Sequence, residues 1–353
     1  MTVLSGLGVT LPVDDQLTAG QYLDLARLAE AAGYSDVLVG EVAGPEVFSM
    51  LGMIAASTSR IRLGSGIVGA YPRSAVLTAM GFATLASLAP GRVLAGLGAS
   101  SPIIVEQWHG AAFAGPLARV EEYVALMRRV WSGERTGATG EHVRSRGFRS
   151  GLVAAELAGG RATPDIPVLV AAMNPRMLRL AGAIADVAFL TWTPPGEYGP
   201  KIAMVREGAR AAGRDPDEVG IAASFWAYAG DHSDAARERM RRFVLQYAMV
   251  PTHRDSFRGS LAGLADAAAA WERGDRAAAL AAVDDDAVDA MCAVGTTDVV
   301  AGRVTALRAA GVDLPIALTP GAALGDATGP AQTIERVGAA LGLTAPSPGA
   351  ARP

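Results

Sequence analysis

A single cysteine, Cys292, stands in the whole chain, which excludes an internal disulfide and a cluster of thiolate metal ligands. The four histidines, His109, His142, His232 and His253, never fall three to five residues apart. No helical metal pair arises, and no metal is expected. Half of the residues are hydrophobic, yet no window holds the roughly 18 uninterrupted apolar residues that a bilayer span requires. Charged residues make up only 19%, the net charge is −4, and no lysine/arginine block occurs. A nucleic-acid surface is therefore not expected, and a small molecule is the expected partner. The first residues, Met1 to Gly6, lack a basic region ahead of a long apolar run. No secretion signal is expected, the mature protein is expected to begin here, and the cytoplasm fits best. Neither a Gly-x-Ser-x-Gly elbow nor a P-loop is present, so acyl transfer and nucleotide hydrolysis have no foothold. A chain lacking its own reactive groups borrows a cofactor.

What is present is an alternation. Short runs rich in leucine and β-branched residues recur near Leu4 to Leu11, Asp36 to Glu41, Ile61 to Val68, Arg92 to Gly98, Pro167 to Ala172, Asp186 to Thr191, Val219 to Tyr228 and Asp313 to Leu318. Longer helical stretches separate them. Eight such units predict an α/β fold, a (β/α)8 TIM barrel with insertion segments. Thr18 caps a predicted helix running to Ala32, with Gly33 as its stop. From Pro116 to Trp131, Leu117, Val120, Val124, Met127 and Trp131 recur at helical spacing and predict one face on the barrel. The stretch 231–298 is too long for a plain crossover and reads as a helical insertion. Residues 133–165 predict an irregular excursion or a mobile flap. One domain is expected over 1–343, followed by a flexible tail at 344–353.

The fourth strand opens into Gly98, Ala99, Ser100 and Ser101, where no bulky side chain separates the backbone from a flat ligand. An ordinary strand exit is the alternative. Gly64 to Gly69 matches the dinucleotide fingerprint by letters, but Ala70-Tyr71-Pro72 follows in place of a helix, and no acid stands about 20 residues on. The glycine pair there permits a bulge or an unusual peptide, or simply close packing. Met173-Asn174-Pro175-Arg176-Met177 sets a cap residue and a first-turn proline after the fifth strand, a helix start able to bind a phosphate or carboxylate. Glu41 ends the second strand on the face where barrel enzymes keep their sites, as a catalytic candidate for proton handling. Trp108 and His109, and Thr191 and Trp192 at the exit of strand six, are candidates for the substrate side; core or rim packing is the alternative for each.

Taken together, Ser100-Ser101-Pro102, Glu106-Gln107-Trp108-His109-Gly110, Arg119-Val120-Glu121-Glu122-Tyr123 and Ala171 to Gly182 resemble the bacterial-luciferase-like superfamily. Within it they resemble the branch using the deazaflavin coenzyme F420 (8-hydroxy-5-deazaflavin), which includes methylene-tetrahydromethanopterin reductase and an actinobacterial glucose-6-phosphate dehydrogenase. The resemblance covers about Val3 to Leu341. It implies the same barrel, with the ring at the C-terminal ends of the strands, and hydride transfer between its C5 and a small organic substrate, as in reduction of C=C or C=N. Carried over, Glu41 lies near the ring, and Gly66-Ile67 forms a non-proline cis peptide beside it. Gly69, Ala99, Ser100, Ser101 and Ile104 make further cofactor contacts, while Met173, Asn174, Arg176 and Met177 hold the phosphate and tail. Where the sugar-phosphate enzyme carries a catalytic glutamate this chain has Ser101, at its catalytic histidine Val42, and at a phosphate-binding lysine Pro194. A phosphorylated sugar is not expected as substrate. The alternatives are an FMN-dependent monooxygenase and a non-catalytic flavin-binding or structural barrel subunit. A homodimer is expected.

Overall fold

The computed structural model describes residues 4–13, 15–250 and 263–344. The tail expected over 344–353 lies, beyond Thr344, outside the described residues, as does 251–262 within the predicted insertion. Eight parallel strands close into a barrel, each pairing with the next and the last with the first. They are β1 (Gly8–Thr10), β2 (Asp36–Val39), β3 (Arg62–Ser65), β5 (Val93–Gly98), β8 (Val168–Ala172), β9 (Val187–Leu190), β10 (Gly220–Tyr228) and β12 (Leu314–Leu318). Each lies within one of the eight predicted runs.

The third run is not one strand. After Ser65 the chain leaves the ladder through a cis Gly66–Ile67 peptide and resumes as β4 (Val68–Gly69), paired only with β5. Gly96 makes this possible. A Cβ on it would sit 1.8 Å from the Ser65 carbonyl oxygen, so the two strands approach more closely than any side chain permits. The Ser65 hydroxyl fills the gap in the ladder, donating to the Gly96 carbonyl (2.6 Å) and accepting from its N–H (3.0 Å).

Helix ends follow their sequence signals. Thr18 and Gln21 form a reciprocal capping box at the start of α1 (Ala19–Ala31), and Gly33 follows it at φ +85°. On the next turns of the barrel lie α2 (Val47–Ser57) and α3 (Ala75–Leu88). Helix α4 (Pro116–Trp131) has the predicted bounds and buries Val120, Val124, Met127 and Trp131. Helices α6 (Pro175–Ile184) and α7 (Tyr198–Ala211) touch backbone to backbone, since a Cβ on Gly182 or Gly208 would stand 1.9 Å from a carbonyl of the other helix.

Residues 133–165 correct the expectation of an irregular excursion. They form an antiparallel hairpin, β6 (Gly137–Thr139) with β7 (Arg144–Arg146), and helix α5 (Gly151–Ala158). The hairpin is strapped along α4. The Glu122 carboxylate accepts the backbone N–H groups of Glu141 (3.1 Å), His142 (2.9 Å) and Val143 (2.7 Å). The described residues of 231–298 hold α8 (Ser233–Met249), three shorter helices over Gly263–Glu272, Arg276–Ala281 and Asp285–Met291, and an unpredicted strand, β11 (Cys292–Val294). Strand β11 pairs with the upper part of β10, beyond the point where β9 has ended.

The lumen is graded in size. Leu38, Leu94, Leu169, Val187, Phe189, Leu314 and Ile316 pack into one buried cluster in the lower barrel. Burial of each such side chain stabilises by roughly 1.5–3 kcal/mol. Below it, the buried Asp36 carboxylate pairs with Arg62 and accepts from the Ser35 hydroxyl (2.7 Å). By the two-residue period, Thr10, Gly98, Ala171 and Ser224 are inward positions nearer the C-terminal ends and are small, while Leu318 and Trp226 stand inward at the tops of β12 and β10.

Candidate active site

The small side chains of this layer stand at the face where the strands end, and the predicted site residues lie on the strand ends and loops of that face. Gly98 gives its space to Ile67, whose Cδ1 would be 2.9 Å from a Cβ there. Beyond β5 the chain turns through Ser100 at φ +62°, a conformation that few residues other than glycine adopt. Ser101 is buried, and its Oγ accepts from the Ile104 N–H (3.4 Å) as Ile103–Trp108 winds into one widened helical turn. Ala99 and Ile104 are half-buried on the same segment. A side chain on Gly69 would reach Ser100 and Pro72, at 3.4 Å each. Gly66, Ile67, Gly69, Ala99, Ser100, Ser101 and Ile104 thus belong to adjoining ends of β3, β4 and β5.

At the end of β8, the neighbour of β5, Asn174 stands in extended conformation (φ −93°, ψ 152°) before Pro175 opens α6. Asn174 and Arg176 are exposed at this helix start, with Met173 and Met177 half-buried beside them. Two predicted substrate residues lie further out: Trp108 is 54% exposed and His109 is also exposed, so neither encloses a pocket within the chain.

Glu41 is not a bare acid. Its Oε2 pairs with Arg73, which also holds Glu46, and its Oε1 accepts the Val47 N–H (3.3 Å). The Glu41 hydrogen bond pushes the Arg73 guanidinium above its usual pKa, against some desolvation. Tyr123 of the Arg-x-x-Glu-Tyr element donates to the Arg73 carbonyl (3.2 Å), and its hydroxyl also meets Thr78 Oγ1 at 2.6 Å. Arg73 was not singled out from the sequence; an arginine behind Tyr71-Pro72 carries no motif of its own. A cavity of about 420 Å³ opens nearby, between Gln16, Leu17 and Tyr22 on one side and Ala43, Gly44 and Pro45 on the other. None of the predicted site residues lines it.

The sequence model of the luciferase-like monooxygenases matches residues 6–314, the whole span from β1 into β12. The chain belongs to that family. Its relatives include the 5,10-methylenetetrahydromethanopterin reductase of Methanolobus tindarius, 28% identical over 316 residues, 88% of this chain and 92% of that one. Another is the F420-dependent glucose-6-phosphate dehydrogenase of Mycolicibacterium fortuitum, 33% identical over 224 residues, 58% of this chain and 63% of that one. The fold is also that of the solved coenzyme F420 dependent tetrahydromethanopterin reductase from Methanopyrus kandleri, with a TM-score of 0.79, 24% identity, and coverage of 95% and 97%.

Within this luciferase-like barrel, Trp192 departs most from its predicted surroundings. With φ +52° it turns its ring into an aromatic cluster, stacked on Tyr247 and edge-on to Trp226. Thr191 stays half-buried beneath it, and its carbonyl accepts from Thr193 Oγ1 (3.3 Å). The buried Lys201 then donates from Nζ to the same Thr193 oxygen (3.3 Å); desolvation lowers its pKa. Sequence reasoning passed over Tyr247, Phe243 and Arg239, although their spacing of four along a helix was a readable signal.

Proposed function

We propose that this enzyme is a coenzyme F420-dependent oxidoreductase that transfers a hydride between the deazaflavin C5 and a small organic substrate, in the sense of reducing a C=C or C=N bond. The observation that carries it is the graded lumen, packed below and lined by Thr10, Gly98, Ala171 and Ser224 above, which fits a flat tricyclic ring. The relatives whose names state F420 dependence support the same reading. The bound coenzyme supplies a carbon centre for two-electron transfer that reacts poorly with oxygen.

The chain's own residues bind, orient and shield. Gly66, Ile67, Gly69, Ala99, Ser100, Ser101 and Ile104 would face the ring system; Met173, Asn174, Arg176 and Met177 would receive the phosphate and tail at the start of α6. Glu41 keeps lone pairs beyond those given to Arg73 and Val47, so it can accept a further hydrogen bond while Arg73 balances its charge. It is the residue assigned to orienting the ring and handling a proton. Trp108, His109, Thr191 and Trp192 would border the substrate. The working unit is one barrel domain, residues 1–343, with its helical insertion, acting as a cytoplasmic homodimer.

The luciferase-like name favours one second reading, an FMN-dependent monooxygenase. Titration of the purified protein with each coenzyme separates the two. Saturable binding of F420 at least about tenfold tighter than FMN is expected; tight FMN binding without F420 affinity overturns the proposal.

A further inference from the structure

Helix α8 carries Arg239, Phe243 and Tyr247 at intervals of four, which puts them in one stripe. Each docks on the barrel mouth. Arg239 pairs with the buried Asp15 of the loop after β1 and donates to the Gly321 carbonyl (2.7 Å) of the loop after β12. The Phe243 ring lies 4.7 Å from that of Trp226, and Tyr247 stacks on Trp192 with centroids 3.9 Å apart and planes 27° apart. Trp192 meets Trp226 edge-on at 4.1 Å.

The cluster stands over the inward side of β10. Trp226 lies four residues beyond Ala222 of the lumen cluster, so it occupies an inward position at the top of β10. Met173, Leu318 and Ala322, at the ends of β8 and β12, pack against the same group. Trp226 is buried, while Trp192, Phe243, Tyr247 and Met173 each keep part of their surface open. The ionisable side chains bordering this wall have partners already. Asp15 holds Arg239, and Lys201 donates a hydrogen bond to Thr193 Oγ1 and lies 4.0 Å from Glu197. Asp326 accepts the N–H groups of Ala322, Thr328 and Gly329, and Asp231 holds Arg336. Among the described residues this side of the mouth offers ring faces and methyl groups, and its exposed cation, Arg176 at the start of α6, is the one assigned above to the coenzyme phosphate and tail.

We infer that Trp192, Trp226 and Tyr247 form the substrate wall, and that it takes a neutral, flat, apolar substrate such as an aryl-substituted enone or imine and disfavours phosphorylated or carboxylated ones. Stacking against the part of Trp192 and Tyr247 left open supplies affinity; an anion entering here loses its hydration without gaining a counter-charge from the wall. The substrate class rests on the oxidoreductase reading, but the wall itself can be probed without the coenzyme.

The test is titration of tryptophan emission with 4-phenyl-3-buten-2-one and with its para-carboxy derivative, in coenzyme-free and F420-loaded protein. Saturable quenching by the neutral enone is expected, about tenfold weaker for the carboxylate and about tenfold weaker in Tyr247→Ala, with Tyr247→Phe restoring most of it. In the loaded enzyme the Tyr247→Ala loss falls on KM, while F420 affinity moves less than about twofold. Should Tyr247→Ala fail to fold, Trp192→Leu gives the same reading. Equal or tighter binding of the carboxylate, or unchanged enone affinity in a folded Tyr247→Ala or Trp192→Leu, overturns the inference. Enone binding that depends on Tyr247 in a protein with no F420 affinity supports the wall and removes the proposed coenzyme.

Discussion

At the residue scale, two positions decide whether the mouth can exist. Gly96 allows the close contact with Ser65 through which β3 hands its place to β4, and a methyl group there has no room to relax because the obstacle is backbone. Gly96→Ala is expected to lower unfolding free energy by about 3 kcal/mol, or to prevent soluble expression, as read by urea unfolding. Glu41 is the second. Held by Arg73, which it shares with Glu46, its proposed contribution is orientation of a ligand group, so Glu41→Gln is expected to lower kcat about tenfold or more while coenzyme affinity changes less than about threefold. Unchanged turnover removes the role assigned to it. The glycines and serines of this site were legible in the sequence because small residues after a buried run have few explanations. Arg73 was not, since its importance arises only from what β2 and β4 bring beside it.

At the element scale, the eight barrel strands were legible in place, with the first run starting four residues early and the third merging β3 with β4, because each barrel strand is buried on both faces and its ends carry glycine, proline or capping signals. Partners across the fold were not. The hairpin of β6 and β7 has neither alternation nor a two-residue turn, and one carboxylate from α4 holds its tip. Desolvation works against that carboxylate's charge, but the three N–H donors from Val143, His142 and Glu141 outweigh it and hold the Glu122 pKa below the usual value. The native state then binds fewer protons than the unfolded chain near pH 4.5, so the contact stabilises above that pH and is lost as pH falls through the lowered value. Glu122→Ala is expected to speed tryptic cleavage at Arg144 and Arg146 by about tenfold at neutral pH, as scored by mass spectrometry. Wild-type protein moved from pH 7 to below 4.5 should lose the same protection in amide exchange of residues 141–143.

For the whole molecule, apolar surface remains where a monomer has no use for it. Met53 on α2 and Leu77, Met80 and Leu88 on α3 are 40%, 54%, 41% and 60% exposed on adjoining helices. We assign this face to the proposed homodimer. Light scattering on the purified protein should give twice the mass of the chain, and Leu77→Lys with Met80→Glu should halve it; an unaltered mass sends the interface elsewhere. Among the described residues the insertion is joined to the barrel by the stripe on α8, by Arg303 on the carbonyls of Asp289, Ala290 and Cys292, and by the apolar cluster around Trp226 and Tyr228, long-range partners that composition could not reveal although it announced extra helices.

That joint has a timetable. Arg239 waits for an acceptor at Gly321, some eighty positions later, and β1 has no second neighbour until β12 is made. On the ribosome, most of the polypeptide must therefore emerge with its seam unsealed and its aromatic panel unanchored. Ligand capture is the last capability the nascent enzyme acquires, and a chain ending before Leu314 acquires none of it.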